Sequence, residues 1–131
     1  MTATLNIRDE STSGQTIQEW SLEFLTERIT VRELIRSRVY QEVQDYNLKQ
    51  PATFRGLVQP AGAEKIRNEF KLAHGHQIDW KQQFEKAIDA FENNRVLILV
   101  GDRQAESLEE EIKIKSGTEV TFVQLVPLIG G

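Results

Sequence analysis

Two glycines, Gly130 and Gly131, end the sequence, and they are the residues whose type and position most clearly indicate a chemical role. Glycine has no side chain to pack, so such an end offers a carboxylate on a backbone thin enough to thread a narrow channel into another protein's active site. Once activated, a carboxylate of this kind can transfer its acyl group to a nucleophile. Terminal glycines also occur by chance and chain ends often fray, so this chemistry needs an element that anchors and projects the two residues.

The stretch before the glycines predicts such an anchor. Residues 120–126 are rich in β-branched and aromatic side chains, which is typical of a strand, and residues 116–119 have the composition of a turn. Pro127 has no backbone N–H and therefore ends any pairing inside a sheet. We expect a strand that runs directly into a tail formed by residues 127–131.

The same strand is predicted to present a face to a partner. Successive side chains of a strand point to opposite faces, so a core position for Phe122 puts Val123 and Leu125 on the outer face. An exposed apolar pair beside the tail would mark a partner site, whereas the alternative is a strand that is covered on both faces. The predicted partner-binding residues are Val123, Leu125, Pro127 and Leu128.

A family resemblance rests on this end of the chain. Residues 117–122 (GTEVTF), followed by Pro127 and by Gly130 and Gly131, resemble the end of the ubiquitin-like β-grasp carriers. The likeness is greatest to the small-subunit sulfur carriers of molybdopterin and thiamine synthesis and to the bacterial ubiquitin-like modifiers. It implies an α+β fold, a ubiquitin-like β-grasp with a mostly helical insert between the first helix and the third strand.

The resemblance also implies how the chain is divided. It predicts a single β-grasp domain over residues 1–131. A compact carrier passes from its first helix to its next strand with much less chain, so the remainder is an insert. The predicted parts are a core at 2–46 and 95–126, the insert at 47–94, and the C-terminal tail at 127–131.

The chemistry that the resemblance implies takes place on Gly131, with Gly130 beside it. In related carriers an ATP-dependent activating enzyme forms an acyl-adenylate on the terminal glycine. That adenylate passes to a thiol and then to a target amine, or to a sulfur donor that leaves a transferable thiocarboxylate. The chain is then a substrate of enzymes and not itself an enzyme. It binds no cofactor, and the ATP is used by the partner enzyme.

Three functions therefore compete. We favour a protein modifier, whose partners would be an activating enzyme, a conjugating enzyme, a deconjugating peptidase and target amines, because the insert is easier to explain as a recognition surface. A sulfur carrier uses the same tail and is the first alternative. A non-covalent β-grasp adaptor, in which the tail is idle, is the second. The sequence leaves open whether Gly131 is the native terminus or is exposed by trimming.

The elements upstream must build the body that holds the last strand. Ala3, Leu5 and Ile7 alternate with polar residues and predict a first strand. Trp20, Leu22 and Phe24 predict a second strand that forms a hairpin with the first. Ile17 is out of phase with these three and indicates a bulge.

A strong local signal follows the hairpin. Thr30 and Glu33 form a capping box, and Ile29 and Leu34 occupy the positions of a hydrophobic staple. A helix is therefore predicted from residue 31. Its apolar stripe recurs at helical spacing through Val31, Leu34, Ile35, Val39, Val43 and Tyr46.

The middle of the chain predicts further elements. A short helix over residues 63–73 would place Ile66 and Phe70 on one face, and Asp79 caps a second helix that runs through Glu92. The apolar run at 95–100 predicts an interior strand covered on both faces. A short strand follows, and its inward-facing residues are Ile112 and Ile114.

Composition excludes several function classes. The 131 residues include no cysteine, which removes disulfides, thiolate catalysis and thiolate metal sites, and fits a cytoplasmic protein. The net charge of −4 argues against nucleic acid and anionic membranes as partners, and no run of 18 apolar residues occurs. His74 and His76 flank a glycine without a third ligand nearby, so we expect a surface loop and no metal site.

Overall fold

The computed structural model describes residues 2–67 and 69–125, and it shows a mixed α+β fold, the class predicted from the sequence. The described elements are β1 (Ala3–Ser11), β2 (Thr16–Phe24), β3 (Arg28–Thr30), α1 (Val31–Lys49), β4 (Glu64–Ile66), β5 (Glu69–Lys71), α2 (Trp80–Glu92), β6 (Val96–Val100), β7 (Arg103–Gln104), β8 (Glu111–Lys113) and β9 (Glu119–Gln124).

Five of these strands form one mixed sheet in the order β2-β1-β9-β6-β7. The hairpin pair β1 and β2 is antiparallel, β1 and β9 are parallel, and β6 is antiparallel to both β9 and β7. The first and last strands of the sheet along the chain are therefore neighbours, and β9 lies at the centre. Two-stranded pairs form separately from β3 with β8 and from β4 with β5.

The hairpin follows from its alternating pattern, as predicted. One face of the sheet is buried and mostly apolar, with Asp9 as a buried polar residue on it. Its buried apolar side chains are Ala3, Leu5, Ile7, Leu22, Phe24, Val96, Ile98, Val120 and Phe122. The predicted bulge is confirmed, because Asp9 lies opposite Gln18 whereas Glu10 lies opposite Thr16, which leaves Ile17 as the extra residue. The bulge returns the polar and apolar positions to register with the sheet.

The first helix begins where the capping box predicts. The Thr30 hydroxyl accepts a hydrogen bond from the Glu33 backbone N–H at 3.1 Å, and the Glu33 carboxylate lies 3.4 Å from the same hydroxyl. Both staple residues are buried, Ile29 at 2% exposure and Leu34 at 0%. All six residues of the predicted stripe are buried as well. Local sequence signals therefore determine both the start of α1 and its buried face.

The chain divides into two compact units, one made of Met1–Leu34 with Ala90–Gly131 and the other of Ile35–Asp89. The five-stranded sheet and the β3–β8 pair belong to the first unit. The β4–β5 pair belongs to the second, together with most residues of both helices.

The predicted helix over residues 63–73 is wrong. This stretch forms the β4–β5 hairpin, which reverses at Arg67 in the left-handed region at φ 57°. Phe70 also exchanges two backbone hydrogen bonds with Phe54, at 2.8 and 2.9 Å. These bonds to a distant segment outweigh the helix-like spacing, and they leave Ile66 41% exposed while Phe70 is buried at 7%.

Buried polar side chains organise the second unit. The Arg38 guanidinium is 1% exposed and donates to Glu42 at 3.2 Å, and Glu42 in turn accepts the Leu57 N–H at 3.1 Å. The side chain of Gln83, also 1% exposed, donates to the Val58 carbonyl at 3.0 Å. These hydrogen bonds connect the backbone at residues 57–58 to both helices, while the buried Oε1 of Gln83 has no hydrogen-bond partner among the described residues.

The second helix begins at its predicted cap. The Asp79 carboxylate accepts the Lys81 N–H at 3.0 Å. Just before it, Ile78 exchanges two hydrogen bonds with the Asn47 side chain, at 2.8 and 2.9 Å. The end of α1 and the start of α2 are therefore joined within the second unit.

Replacing the α1 cap tests the local origin of the helix. Thr30→Ala should lower the free energy of unfolding by about 1 kcal/mol, because the Glu33 N–H loses its acceptor. Thr30→Ser keeps the hydroxyl and should stay within a few tenths of a kcal/mol of the parent chain. Urea unfolding measures both variants, and equal losses for alanine and serine would contradict this role of the hydroxyl.

The stability of the chain should depend on pH in part through Glu69 of the β4–β5 hairpin. Hydrogen bonds from Arg55 and Thr53 lower the pKa of Glu69 from 4.5. A lowered carboxyl pKa contributes stability above pH 4.5 that is lost as the pH falls through the folded-state pKa. The thermal midpoint of Glu69→Gln should therefore decrease less than that of the parent chain when the pH is lowered from neutral to about pH 3.

The matched control for this pH dependence is Glu64→Gln on the same hairpin. The Glu64 side chain is exposed and makes no hydrogen bond or ion pair within the described parts of the chain. This variant should keep the acid dependence of the parent chain. If both substitutions flatten the midpoint curve equally, the Glu69 contacts are not its source.

Candidate functional site

The candidate site is centred on β9, and hydrogen bonds along both edges and at the end of this strand position it. A turn containing Gly117, at φ 82°, brings the chain into the strand. The backbone of β9 then pairs with β1 on one side and with β6 on the other. At its end, the Leu125 N–H donates to the Arg95 carbonyl at 3.0 Å. The chain that follows residue 125 therefore starts from a point fixed by hydrogen bonds on a central strand.

The two faces of β9 differ as the alternation predicts. Val120 and Phe122 are both 0% exposed, so the expected core position of Phe122 is confirmed. Thr121 points to the other face and is 9% exposed, while Val123 and Leu125 are half-buried. The two predicted partner-binding residues within the described chain thus keep part of their surface open to solvent.

Two leucines of β6 extend this half-buried surface. Leu97 lies opposite Val123 in the sheet register, and Leu99 lies opposite Thr121. We call Leu97, Leu99, Val123 and Leu125 the apolar strip. The prediction that β6 is covered on both faces is wrong, because Val96 and Ile98 are buried whereas Leu97 and Leu99 are half-buried. A continuous apolar run gives no signal that separates these two cases.

A charged cluster lies beside the apolar strip on the same face of the sheet. Arg8 pairs with Glu119 at 2.7 Å, with Glu19 at 2.9 Å and with Glu10 at 3.5 Å. The hydrogen bond to Glu19 is the main cause that raises the pKa of Arg8 above its ordinary value. The Arg8 guanidinium thus pairs with three carboxylates. One of them, Glu10, lies opposite Val123 in the sheet register, which places the cluster beside the apolar strip.

This arrangement defines what the surface can bind. The apolar strip has an acidic border, so a complementary partner would offer apolar side chains flanked by basic ones. No local pattern in the sequence predicts the Arg8 cluster. Its members come from three strands, and only the register of β1 with β2 and β9 brings them together.

The remaining predicted site residues lie outside the described part of the chain. They are Pro127 and Leu128, predicted to bind the partner, and Gly130 and Gly131, predicted to be adenylated and conjugated. The described site therefore consists of the apolar strip, its acidic border and the fixed exit of the chain at Leu125.

The two histidines lie in a loop between β5 and α2, and both are exposed. Within residues 2–67 and 69–125, no group of three or more histidine, aspartate or glutamate side chains is placed to hold a metal ion. Neither α1 nor α2 is both long and apolar enough to cross a membrane.

Comparison of the chain with protein-family models, with curated proteins and with solved structures finds no match.

Charge introduced into the apolar strip tests its role. Leu125→Glu should lower the thermal midpoint much less than a core substitution does, because the side chain keeps part of its surface in solvent. It should lower ATP-dependent transfer of the chain to partner proteins in an extract of the source cells. Leu25→Glu is the matched control, because Leu25 is 86% exposed and lies outside the strip. It should change neither quantity.

A core substitution calibrates the stability measurement. Phe122→Ala should lower the free energy of unfolding by about 3–5 kcal/mol, because the side chain is fully buried. A loss of similar size in Leu125→Glu would place Leu125 in the core, where an unpaired charge is costly, and would remove it from the partner surface.

Proposed function

We propose that this chain is a ubiquitin-like protein modifier with a β-grasp fold, activated at the carboxylate of Gly131 and conjugated to amines of target proteins. The observation that supports it most is the sheet order β2-β1-β9-β6-β7, in which the first and last strands are central, adjacent and parallel. An N-terminal hairpin followed by a helix and a last strand inserted beside the first is the arrangement expected of a β-grasp domain.

The proposed chemistry begins at a poor acyl donor. A carboxylate oxygen of Gly131 attacks the α-phosphorus of ATP in the activating enzyme, so pyrophosphate leaves and an acyl-adenylate forms. A thiolate of the enzyme then displaces AMP to give a thioester. A target amine displaces the thiolate, loses a proton and forms the amide. The chain supplies only the acyl group, so in this proposal it is a substrate and not an enzyme, and ATP is used by its partner.

The positions of the described residues suit this task. Hydrogen bonds hold β9 on both sides and Leu125 at its end, so the exit of the chain moves little relative to the sheet. Residues 127–131 can span at most about 17 Å when extended. An enzyme that binds the apolar strip would therefore have the carboxylate of Gly131 within a short, defined reach.

The second unit supports a function as a protein modifier over a function as a sulfur carrier. Residues 35–89 form a compact body with a buried polar network of their own. A sulfur carrier must insert its tail deeply into a synthase, and additional bulk hinders that insertion. A conjugated modifier has a use for such a body as a surface that other proteins recognise. A conjugating enzyme, a deconjugating peptidase and a cytoplasmic location belong to the same proposal.

The test is the chemical state of Gly131 in the source cells. A chain with an N-terminal tag should yield, after digestion, branched peptides that join Gly131 to a target amine. Deletion of Gly131 should abolish them, because the acyl group to be transferred is then missing. The Leu25→Glu chain should give the parent yield, because Leu25 follows the residue paired with Ala3, whereas Val123 pairs with Glu10 near the other end of β1.

Other outcomes decide between the alternatives. If the only activated product carries sulfur in place of one oxygen of the Gly131 carboxylate, the chain is a sulfur carrier. If partners bind the chain equally well when one residue is appended after Gly131, and no activated product forms, the chain is a non-covalent adaptor. Either result would contradict the proposal that the chain is a protein modifier.

A further inference from the structure

A basic groove lies in the first unit at the start of β9, the end of the strand remote from Leu125. Its volume is about 760 Å³, and the β3–β8 pair, the end of β6 and the turn before β9 contribute to its walls. Four cationic side chains and two carboxylates line it, which gives it a positive balance in a chain of net charge −4. These charged residues are Arg28, Arg103, Lys113, Lys115, Glu111 and Glu119.

Two of the cations are forced together by the sheet. Arg28 and Lys113 lie directly opposite each other in the β3–β8 pair, and both are exposed. Like charges at directly opposed positions destabilise a strand pair. The neighbouring pair Ile29 and Ile112 is buried, at 2% and 1% exposure, and this apolar contact fixes the register. The repulsion is therefore built into the fold, and a bound anion would relieve it.

No carboxylate within the described residues supplies that anion. Arg28, Lys113 and Lys115 make no ion pair there. Elsewhere in the chain, Arg32 and Arg55 each pair with a carboxylate, at 2.7 and 2.8 Å. The groove thus brings together three cations that have no carboxylate partner among the described residues.

The spacing of these cations indicates the shape of the ligand. Lys113 and Lys115 are two residues apart, and alternate side chains of an extended chain lie about 6.6 Å apart. An extended peptide with carboxylates at alternate positions matches this distance. Within the groove, Arg103 already pairs with Glu110, and Glu119 pairs with Arg8.

The carboxylates of the groove disfavour the binding of a longer polyanion. Glu111 stands two residues before Lys113, and Glu119 also lines the groove. A nucleic acid has a continuous row of phosphates, so it would meet both carboxylates as well as the net negative charge of the chain. A short acidic segment can place two carboxylates on the lysines and avoid Glu111.

We propose that this basic groove binds an extended acidic segment of a partner protein, with carboxylates at alternate positions facing Lys113 and Lys115 and with Arg28 beside them. The groove and the exit at Leu125 lie at opposite ends of β9, because Glu119 and Leu125 are about 20 Å apart along the strand. Binding in the groove is therefore compatible with a tail that is engaged elsewhere, and it does not depend on the proposed activation of Gly131.

Two-dimensional amide NMR of the full chain tests this proposal with a capped peptide, Gly-Glu-Thr-Glu-Gly. A capped Gly-Thr-Glu-Glu-Gly peptide has the same composition but adjacent carboxylates. The first peptide should shift the amide signals of Arg28, Lys113 and Lys115 and should bind more tightly than the second. The association constant should fall as salt is raised, because the contacts are exposed.

Paired charge reversals supply the control. The double substitution Lys113→Glu with Lys115→Glu should weaken binding by about tenfold or more. Lys65→Glu with Lys81→Glu makes the same change of net charge at two exposed positions outside the groove, and it should keep binding within about twofold. Unchanged amide signals far from each substitution verify that both variants are folded.

Stability gives an independent readout. Lys113→Gln removes the repulsion with Arg28 and should raise the thermal midpoint while weakening peptide binding. Undiminished binding by the Lys113 and Lys115 reversal, an equal loss in the Lys65 and Lys81 reversal, or tighter binding of a single-stranded oligonucleotide than of the alternating peptide would each overturn the proposal.

Discussion

Parallel pairing of β1 with β9 is the constraint on which the first unit depends. The two strands come from opposite ends of the sequence, so their pairing closes a loop of about a hundred residues, and the entropy cost of closure rises only slowly with loop length. Leu5, Ile7, Val120 and Phe122 are all buried beside this pairing. Each fully buried apolar side chain of this kind contributes about 1.5–3 kcal/mol to stability.

Parallel strands also require a crossover connection, and the residues of the second unit are contained within it. Because each doubling of loop length costs only about 0.6 kcal/mol, a body as large as residues 35–89 can be accommodated there without loss of the sheet.

The central position of β9 also explains why the functional features gather on it. Pairing on both sides makes the strand a fixed base, and the chain that enters and leaves it is held at both ends. The apolar strip lies toward the exit, where the proposed acyl donor follows, and its acidic border extends back to Glu119 at the start of β9. The basic groove lies at the entrance, where three cations have no partner among the described side chains. The two surfaces carry opposite charge, so they would select different partners. A modifier with this layout could be activated at one end of the strand and recognised at the other.

Sequence patterns predicted the features that depend on neighbouring residues. The alternation of β1 and β2, the bulge at Ile17 and the cap at Thr30 are local, so the residue types alone specify them. The hairpin at 64–71 was missed because its backbone pairs with Phe54, which no local pattern reveals. The partial exposure of Leu97 and Leu99 was missed because an apolar run looks the same whether one or both faces are covered. The basic groove depends on the register of Arg28 with Lys113, which are distant in sequence.

Trapping with hydroxylamine tests the central claim, that this sheet carries an acyl donor at Gly131. Hydroxylamine attacks both acyl-adenylates and thioesters, so it captures the activated carboxylate whichever partner receives it. The full chain is incubated with ATP and hydroxylamine in an extract of its source cells, and the C-terminal peptide is then analysed by mass spectrometry. We expect a hydroxamate on Gly131 that requires ATP and is less abundant in the Leu125→Glu chain. Recovery of the same peptide only as the free carboxylate, with ATP present throughout, would contradict it.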